Sequence, residues 1–102
     1  MITRIVKMDF LEEKTGEFID FFNQNKHKIL EFDGCDDVIL FRDALIENVF
    51  FTISKWRDLD ALERYRASVF FKNTWARTKA SFADKAQAWS LQDVNLAEDR
   101  TL

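Results

Sequence analysis

The spacing of apolar residues in this chain changes from strand-like to helix-like, and this change restricts the fold more than any other feature. From Ile2 to Phe10, apolar and polar side chains alternate, and a period of two predicts a strand. From about Lys14 to Phe32, large apolar residues recur at helical spacing, namely Phe18, Phe21, Phe22, Ile29 and Phe32. This spacing predicts an amphipathic helix, which we expect Gly34 to terminate.

The next two segments favour a β-hairpin. Residues 37–42 and 49–56 are rich in β-branched and aromatic residues, and the polar residues 43–48 between them are suited to a hairpin loop. We expect these two strands to pair in antiparallel orientation.

Helical spacing returns after Arg57 and continues to about Phe82. Ser68 interrupts it, and because serine is a favoured N-cap residue, we expect a break or bend there. Residues 86–94 then predict a fourth strand.

The resulting order is strand–helix–strand–strand–helix–strand. Right-handed crossovers arrange such a chain as a four-stranded antiparallel sheet with the helices on one face, which is the ferredoxin-like βαββαβ arrangement of the α+β class. We expect one domain over residues 1–95 and a polar C-terminal tail over residues 96–102.

Two of the predicted strands are apolar on both faces. Residues 38–41 are Val-Ile-Leu-Phe and residues 49–51 are Val-Phe-Phe, whereas an antiparallel sheet with one wet face alternates. We therefore expect the second face to be covered, most simply by the sheet of another copy in a homodimer.

Composition narrows the function classes. The net charge is −3 and no run of more than two Lys or Arg residues occurs, so we expect no nucleic-acid partner. With 2 Gly and no Pro, a glycine-rich phosphate loop is excluded. The single Cys and single His argue against a transition-metal site. No signal peptide or membrane-length apolar stretch is visible, so we expect a cytoplasmic protein without membrane contact.

Residues 56–71 carry a family resemblance. They read Trp-Arg-Asp-Leu-Asp-Ala-Leu-Glu-Arg-Tyr-Arg-Ala-Ser-Val-Phe-Phe. This resembles the antibiotic-biosynthesis monooxygenase family of dimeric α+β barrels, whose pattern is a strand-ending Trp, an acidic turn, Ala-Leu, a His, a Ser and a Phe. The matching residues are Trp56, Ala61, Leu62, Ser68 and Phe71, and Tyr65 stands where the family most often has His. Gly34-Cys35 resembles the family's Gly-Cys after the first helix.

The resemblance implies a homodimer with a pocket in each subunit between the sheet and the helices. Some members of the family oxidise aromatic polyketides or quinols with dioxygen and no cofactor, and others degrade haem. Thr52 occupies the position of an Asn in the cofactor-free oxygenases. Trp75 occupies the position of the haem-ligating His, so haem ligation in that manner is excluded.

The candidate site residues follow from the predicted pocket. Trp56 and Tyr65 are the candidate catalytic residues: Trp56 stacks on a planar ring or is a core aromatic, and Tyr65 donates a hydrogen bond to a substrate oxygen or packs its ring. The candidate substrate-binding residues are Phe22, Asn25, Thr52, Asn73 and Trp75. The side-chain amides of Asn25 and Asn73 either form hydrogen bonds within the protein or face the pocket, because a buried amide without a partner costs about 1–3 kcal/mol.

Two functions remain as hypotheses from the sequence. One is a cofactor-independent monooxygenase or related oxidoreductase that acts on a small hydrophobic aromatic or quinol-like molecule. The other is a non-catalytic small-ligand-binding or stress-response protein with the same fold.

Overall fold

The computed structural model describes residues 1–94, and its elements follow the predicted order. The strands are β1 (Ile2–Asp9), β2 (Cys35–Arg42), β3 (Val49–Trp56) and β4 (Gln87–Gln92), and the helices are α1 (Thr15–Leu30), α2 (Leu59–Ala67) and α3 (Val69–Lys79). A 3₁₀ turn over Glu12–Lys14 precedes α1. The predicted tail, residues 96–102, lies outside the described residues, as does the end of the predicted domain.

The four strands form one antiparallel sheet in the order β2-β3-β1-β4. β1 and β3 are central, so the chain crosses the sheet between β1 and β2 through α1, and between β3 and β4 through α2 and α3. This is the predicted ferredoxin-like α+β fold. The pleat places every second residue of β1 from Ile2 to Met8, and Phe10 just after the strand, on the helix side, where Ile2, Met8 and Phe10 are buried.

Helix α1 lies on the sheet through its phenylalanines. Phe18 and Phe22, one turn apart, are buried and pack with Met8, Phe10 and Phe50 in one core cluster. The chain after α1 reverses at Gly34, which has a φ of +85° and whose carbonyl accepts a 2.7 Å hydrogen bond from the Arg57 amide. A Cβ at position 34 would also collide with the Cβ of Ala61, so glycine is required there.

The predicted break in the second helical segment is confirmed at Ser68. This residue has an extended ψ of 152°, and its Oγ accepts a 3.1 Å hydrogen bond from the Phe71 amide, which caps α3. The Ser68 hydroxyl also donates to the Tyr65 carbonyl oxygen at 2.6 Å and so closes the end of α2. α3 ends at Lys79, short of the predicted Phe82, which instead forms a bridge with Phe10.

The outer face of the sheet carries a row of apolar side chains. Ile39, Ile53, Ile5 and Trp89 are register partners across all four strands. In the single chain, Ile39 and Trp89 are 40% and 44% exposed. The prediction that both faces of the sheet are apolar is therefore confirmed. None of the helices within residues 1–94 has the length and apolar composition that crossing a bilayer would require.

Candidate functional site

A cavity of about 390 Å³ lies between the helix side of the sheet and the helices. Its walls are mostly apolar and rich in aromatic rings: α1 contributes Phe18, Phe21 and Phe22, α3 contributes Phe70, Phe71 and Trp75, and β3 and α2 add Trp56 and Tyr65. This volume lies within the range of small-molecule sites. The cavity therefore suits a small, flat, apolar molecule.

Trp56 forms the inner wall of this cavity. Its side chain is fully buried at 0% exposure, and it packs in a second core cluster with Ile2, Ala61 and Leu62. The indole Nε1 donates a 2.9 Å hydrogen bond to the Ser54 hydroxyl. The donor of Trp56 is thus already used and its ring is fully covered, so Trp56 supports the cavity wall from behind, through the Tyr65 ring that stacks on it.

Tyr65 stacks on Trp56, with ring centroids 4.9 Å apart and an interplanar angle of 28°. Phe32 and Phe71 contact the tyrosine ring edge-on. Burial raises the pKa of Tyr65 well above its ordinary value, so the phenol keeps its proton at neutral pH. Its hydroxyl has no hydrogen-bond partner among residues 1–94, which makes it a donor available to a ligand.

Asn25 and Thr52 also line the cavity. The Asn25 Nδ2 donates a 2.8 Å hydrogen bond to the Phe21 carbonyl oxygen, one turn earlier in α1. Neither the Asn25 Oδ1 nor the Thr52 hydroxyl is hydrogen-bonded within the described part of the chain. Both groups can therefore accept a hydrogen bond from a ligand.

Phe22 and Trp75 line the cavity as well, whereas Asn73 does not. Asn73 is exposed on the far side of α3, because that helix turns positions 70, 71, 74, 75 and 78 toward the cavity. The structure therefore does not bring Asn73 to the cavity, because the small-residue face of α3 on which it lies is not the face that lines the cavity. Of the seven candidate residues, the structure brings six to one cavity.

Sequence reasoning missed several polar residues of the site, above all Arg4, Ser54 and Arg66. Arg4 and Ser54 are register partners in β1 and β3. The alternation of the strands contains this signal, because Arg4 shares a face with Ile2 and Ser54 shares a face with Trp56. The hydroxyls of Thr74 and Thr78 on α3 bond to backbone carbonyls of their own helix.

The other reactive side chains do not line the cavity, although Cys35 packs against the cluster that contains Trp56. Burial raises the pKa of the Cys35 thiol to about 11, so Cys35 is a poor nucleophile at neutral pH. His27 is exposed on α1 and does not line the cavity. Within residues 1–94, no group of three or more His, Cys, Asp or Glu side chains is placed to hold a metal ion.

Comparison with solved structures shows how widely this architecture occurs. An antibiotic biosynthesis monooxygenase superposes with a TM-score of 0.84 at 19% identity, covering 92% of this chain and 99% of that one. A conserved protein from Methanosarcina mazei Go1 gives 0.85 at 18% identity, covering 92% and 94%. Rv0793 from Mycobacterium tuberculosis gives 0.84 at 16% identity, covering 94% and 97%. At these identities the likeness shows the fold.

Sequence comparison is more selective. No curated protein is similar enough to this chain to count as a match. The family model for antibiotic biosynthesis monooxygenase matches residues 1–77, which span β1 to most of α3 and include the motif from Trp56 to Phe71. Since this match covers well over half of the sequence, the chain belongs to the antibiotic biosynthesis monooxygenase family.

Proposed function

We propose that this protein is a cofactor-independent monooxygenase that oxidises a small hydrophobic aromatic or quinol-like molecule in the cavity. The observation that carries the proposal is the Trp56–Tyr65 stack, in which a flat aromatic wall adjoins a protonated hydroxyl that has no partner within residues 1–94. Membership of the family supports the reaction class.

A hydroxyanthrone illustrates the chemistry. Its ring methylene loses a proton to give an electron-rich anion, which transfers an electron to dioxygen, and recombination forms a carbon–oxygen bond. The resulting peroxide anion takes up a proton from solvent, and loss of water from this hydroperoxide leaves a carbonyl. The methylene thereby loses four electrons and dioxygen gains four, with one oxygen atom in the product and one in water, so the substrate is the only reductant.

The cavity side chains assist this reaction by binding and by hydrogen bonding. The Tyr65 hydroxyl donates to the substrate oxygen on which negative charge develops, and such donors act most strongly in a site that excludes water. The rings of Tyr65, Phe22 and Trp75 hold the flat ring system, and Asn25 and Thr52 accept hydrogen bonds from substrate hydroxyls. No carboxylate or imidazole of residues 1–94 lines the cavity, so the substrate loses its proton to bulk solvent before the anion enters the cavity.

The proposal includes a homodimer in which the outer sheet faces of two copies pack together as a barrel. The apolar row through Ile39, Ile53, Ile5 and Trp89 supports it, because contiguous exposed apolar surface of this kind marks interaction sites. The cavity lies on the opposite side of the sheet and stays accessible in such a dimer.

The second candidate function is ligand binding without catalysis. The lack of a general base among the described cavity side chains favours it, since proton abstraction from a weakly acidic substrate requires one. A substrate that does not ionise readily would be bound and released unchanged.

Oxygen uptake distinguishes the two candidates. Chelator-treated protein should consume dioxygen with a panel of quinols and hydroxyanthrones, faster than buffer alone. Tyr65→Phe retains the ring and removes the donor, and it should slow the reaction about a hundredfold. Uptake at the buffer rate with every compound, together with demonstrated binding, would favour the non-catalytic function.

A further inference from the structure

The charged side chains that line the cavity are both positive. They are Arg4 from β1 and Arg66 from α2, and no Asp or Glu of residues 1–94 lines it. This contrasts with the whole chain, which carries 18 acidic and 15 basic residues and a net charge of −3. A cavity with only positive charge in an acidic protein indicates an anionic occupant.

Of the two arginines, Arg4 has the positive charge that is less neutralised by nearby carboxylates. Its register partners are Ser54 on β3 and Ser90 on β4, and its Nη1 donates a 2.8 Å hydrogen bond to the Ser90 hydroxyl. Within the described residues, no carboxylate forms an ion pair with it. Glu63 lies nearby but pairs with Arg66 at 3.2 Å.

The charged form of Arg4 is destabilised by its surroundings in the cavity. Partial burial lowers the pKa of its guanidinium, Arg66 lowers it further, and Glu63 raises it only in part. A partly buried cation beside a second cation is destabilised until an anion neutralises it. A guanidinium is also the side chain that matches a carboxylate best, through two parallel hydrogen bonds.

We propose that the occupant of the cavity is a planar aromatic compound with a carboxylate group, and that Arg4 binds this carboxylate. The inference rests on the proposed function in so far as the cavity is the substrate site. It narrows the substrate from any hydrophobic aromatic or quinol to an aromatic acid. In this arrangement, the ring system lies against Tyr65 and the phenylalanines of the cavity while the carboxylate forms hydrogen bonds with Arg4.

Binding of a matched pair of compounds tests this assignment. Naphthoate and naphthamide have nearly the same shape, but only naphthoate is charged at neutral pH. Titration of wild-type protein, followed by tryptophan fluorescence or calorimetry, should show naphthoate binding about tenfold to a hundredfold more tightly. Neither compound is a quinol, so the result does not depend on whether the protein oxidises anything.

Two variants locate the effect. Arg4→Gln should weaken naphthoate binding at least about tenfold and so remove most of the preference. Naphthamide, whose neutral carbonyl gains less from the guanidinium, should still bind, which shows that the cavity is intact. Arg64→Gln is the control: it also removes one positive charge, but from a residue of α2 that contacts Asp33 and does not line the cavity. This variant should keep the preference for naphthoate. Equal affinities in the wild type, no binding of either compound, or an undiminished preference in Arg4→Gln would overturn the proposal.

Discussion

The Trp56 and Tyr65 rings stack at 4.9 Å, and this contact joins the end of β3 to α2 at the wall of the cavity. The indole nitrogen is satisfied by Ser54, whereas the phenol has no partner within residues 1–94. The two residues therefore have different roles: Trp56 builds the wall and Tyr65 offers a hydrogen bond. The proposed chemistry depends on Tyr65 keeping its proton.

Tyr65 should ionise only well above the pH at which a free tyrosine does. The chain has 1 Tyr, so the near-ultraviolet absorbance of tyrosinate reports this residue alone. In the folded protein, burial raises the pKa of Tyr65 from its ordinary value of 10.0, and little tyrosinate should form at that pH. In urea-unfolded protein, half should form. Equal titration curves would contradict the buried position of Tyr65.

The same pKa shift predicts a pH dependence of stability. Above about pH 10 the unfolded chain loses the Tyr65 proton while the folded chain keeps it, so the folded state binds more protons. Below that pH, the ionisation of Tyr65 should therefore not change the free energy of unfolding. Above it, the free energy of unfolding should fall as the pH rises. Denaturant titrations should show a weaker fall for Tyr65→Phe; identical slopes for both proteins would rule out the assignment.

The two glycines should respond oppositely to alanine. Gly34→Ala places a Cβ at a φ of +85° and against Ala61, and it should lower the free energy of unfolding by about 1–3 kcal/mol. Gly16 lies in α1 with no heavy atom within 4 Å of an added Cβ, so Gly16→Ala should stabilise by up to about 1 kcal/mol. Urea denaturation measures both changes. If Gly34→Ala leaves the free energy of unfolding unchanged, the turn differs from the one described.

Ser68 should contribute measurably to stability through its two hydrogen bonds. Ser68→Ala removes the cap on the Phe71 amide and should lower the free energy of unfolding by about 1 kcal/mol. The Ser81 hydroxyl makes no hydrogen bond within residues 1–94, so Ser81→Ala provides the matched control with little expected change. Similar losses in both variants would argue against the capping role.

The proposed dimer predicts a mass of twice 12.1 kDa in light scattering of the wild type. Ile39→Asp introduces a charge on the outer sheet face and should give the monomer mass, because burying an unpaired carboxylate in an apolar interface is costly. Leu59→Asp makes the same kind of change on the helix side, where Leu59 is 51% exposed, and should remain dimeric. A wild-type monomer at micromolar concentration would refute the dimer.

The sequence predicted the element order because its apolar residues keep a period of two, or a period of 3.6, over whole segments. It also located the break at Ser68, since an N-cap serine has a local signature. It could not assign Asn73, because both faces of α3 look suitable for packing until the position of the sheet is known. Arg4 was visible on the apolar face of β1, but a single strand does not reveal that its cross-strand neighbours are serines rather than acids.

The central claim, that turnover occurs inside the cavity, is tested most directly by filling it. Thr74 lines the cavity and its neighbour Asn73 is exposed, so Thr74→Trp and Asn73→Trp insert the same side chain inside and outside. With a hydroxyanthrone in an oxygen electrode, the account predicts uptake at the wild-type rate for Asn73→Trp and at the buffer rate for Thr74→Trp. Equal, undiminished uptake by both folded variants would contradict it.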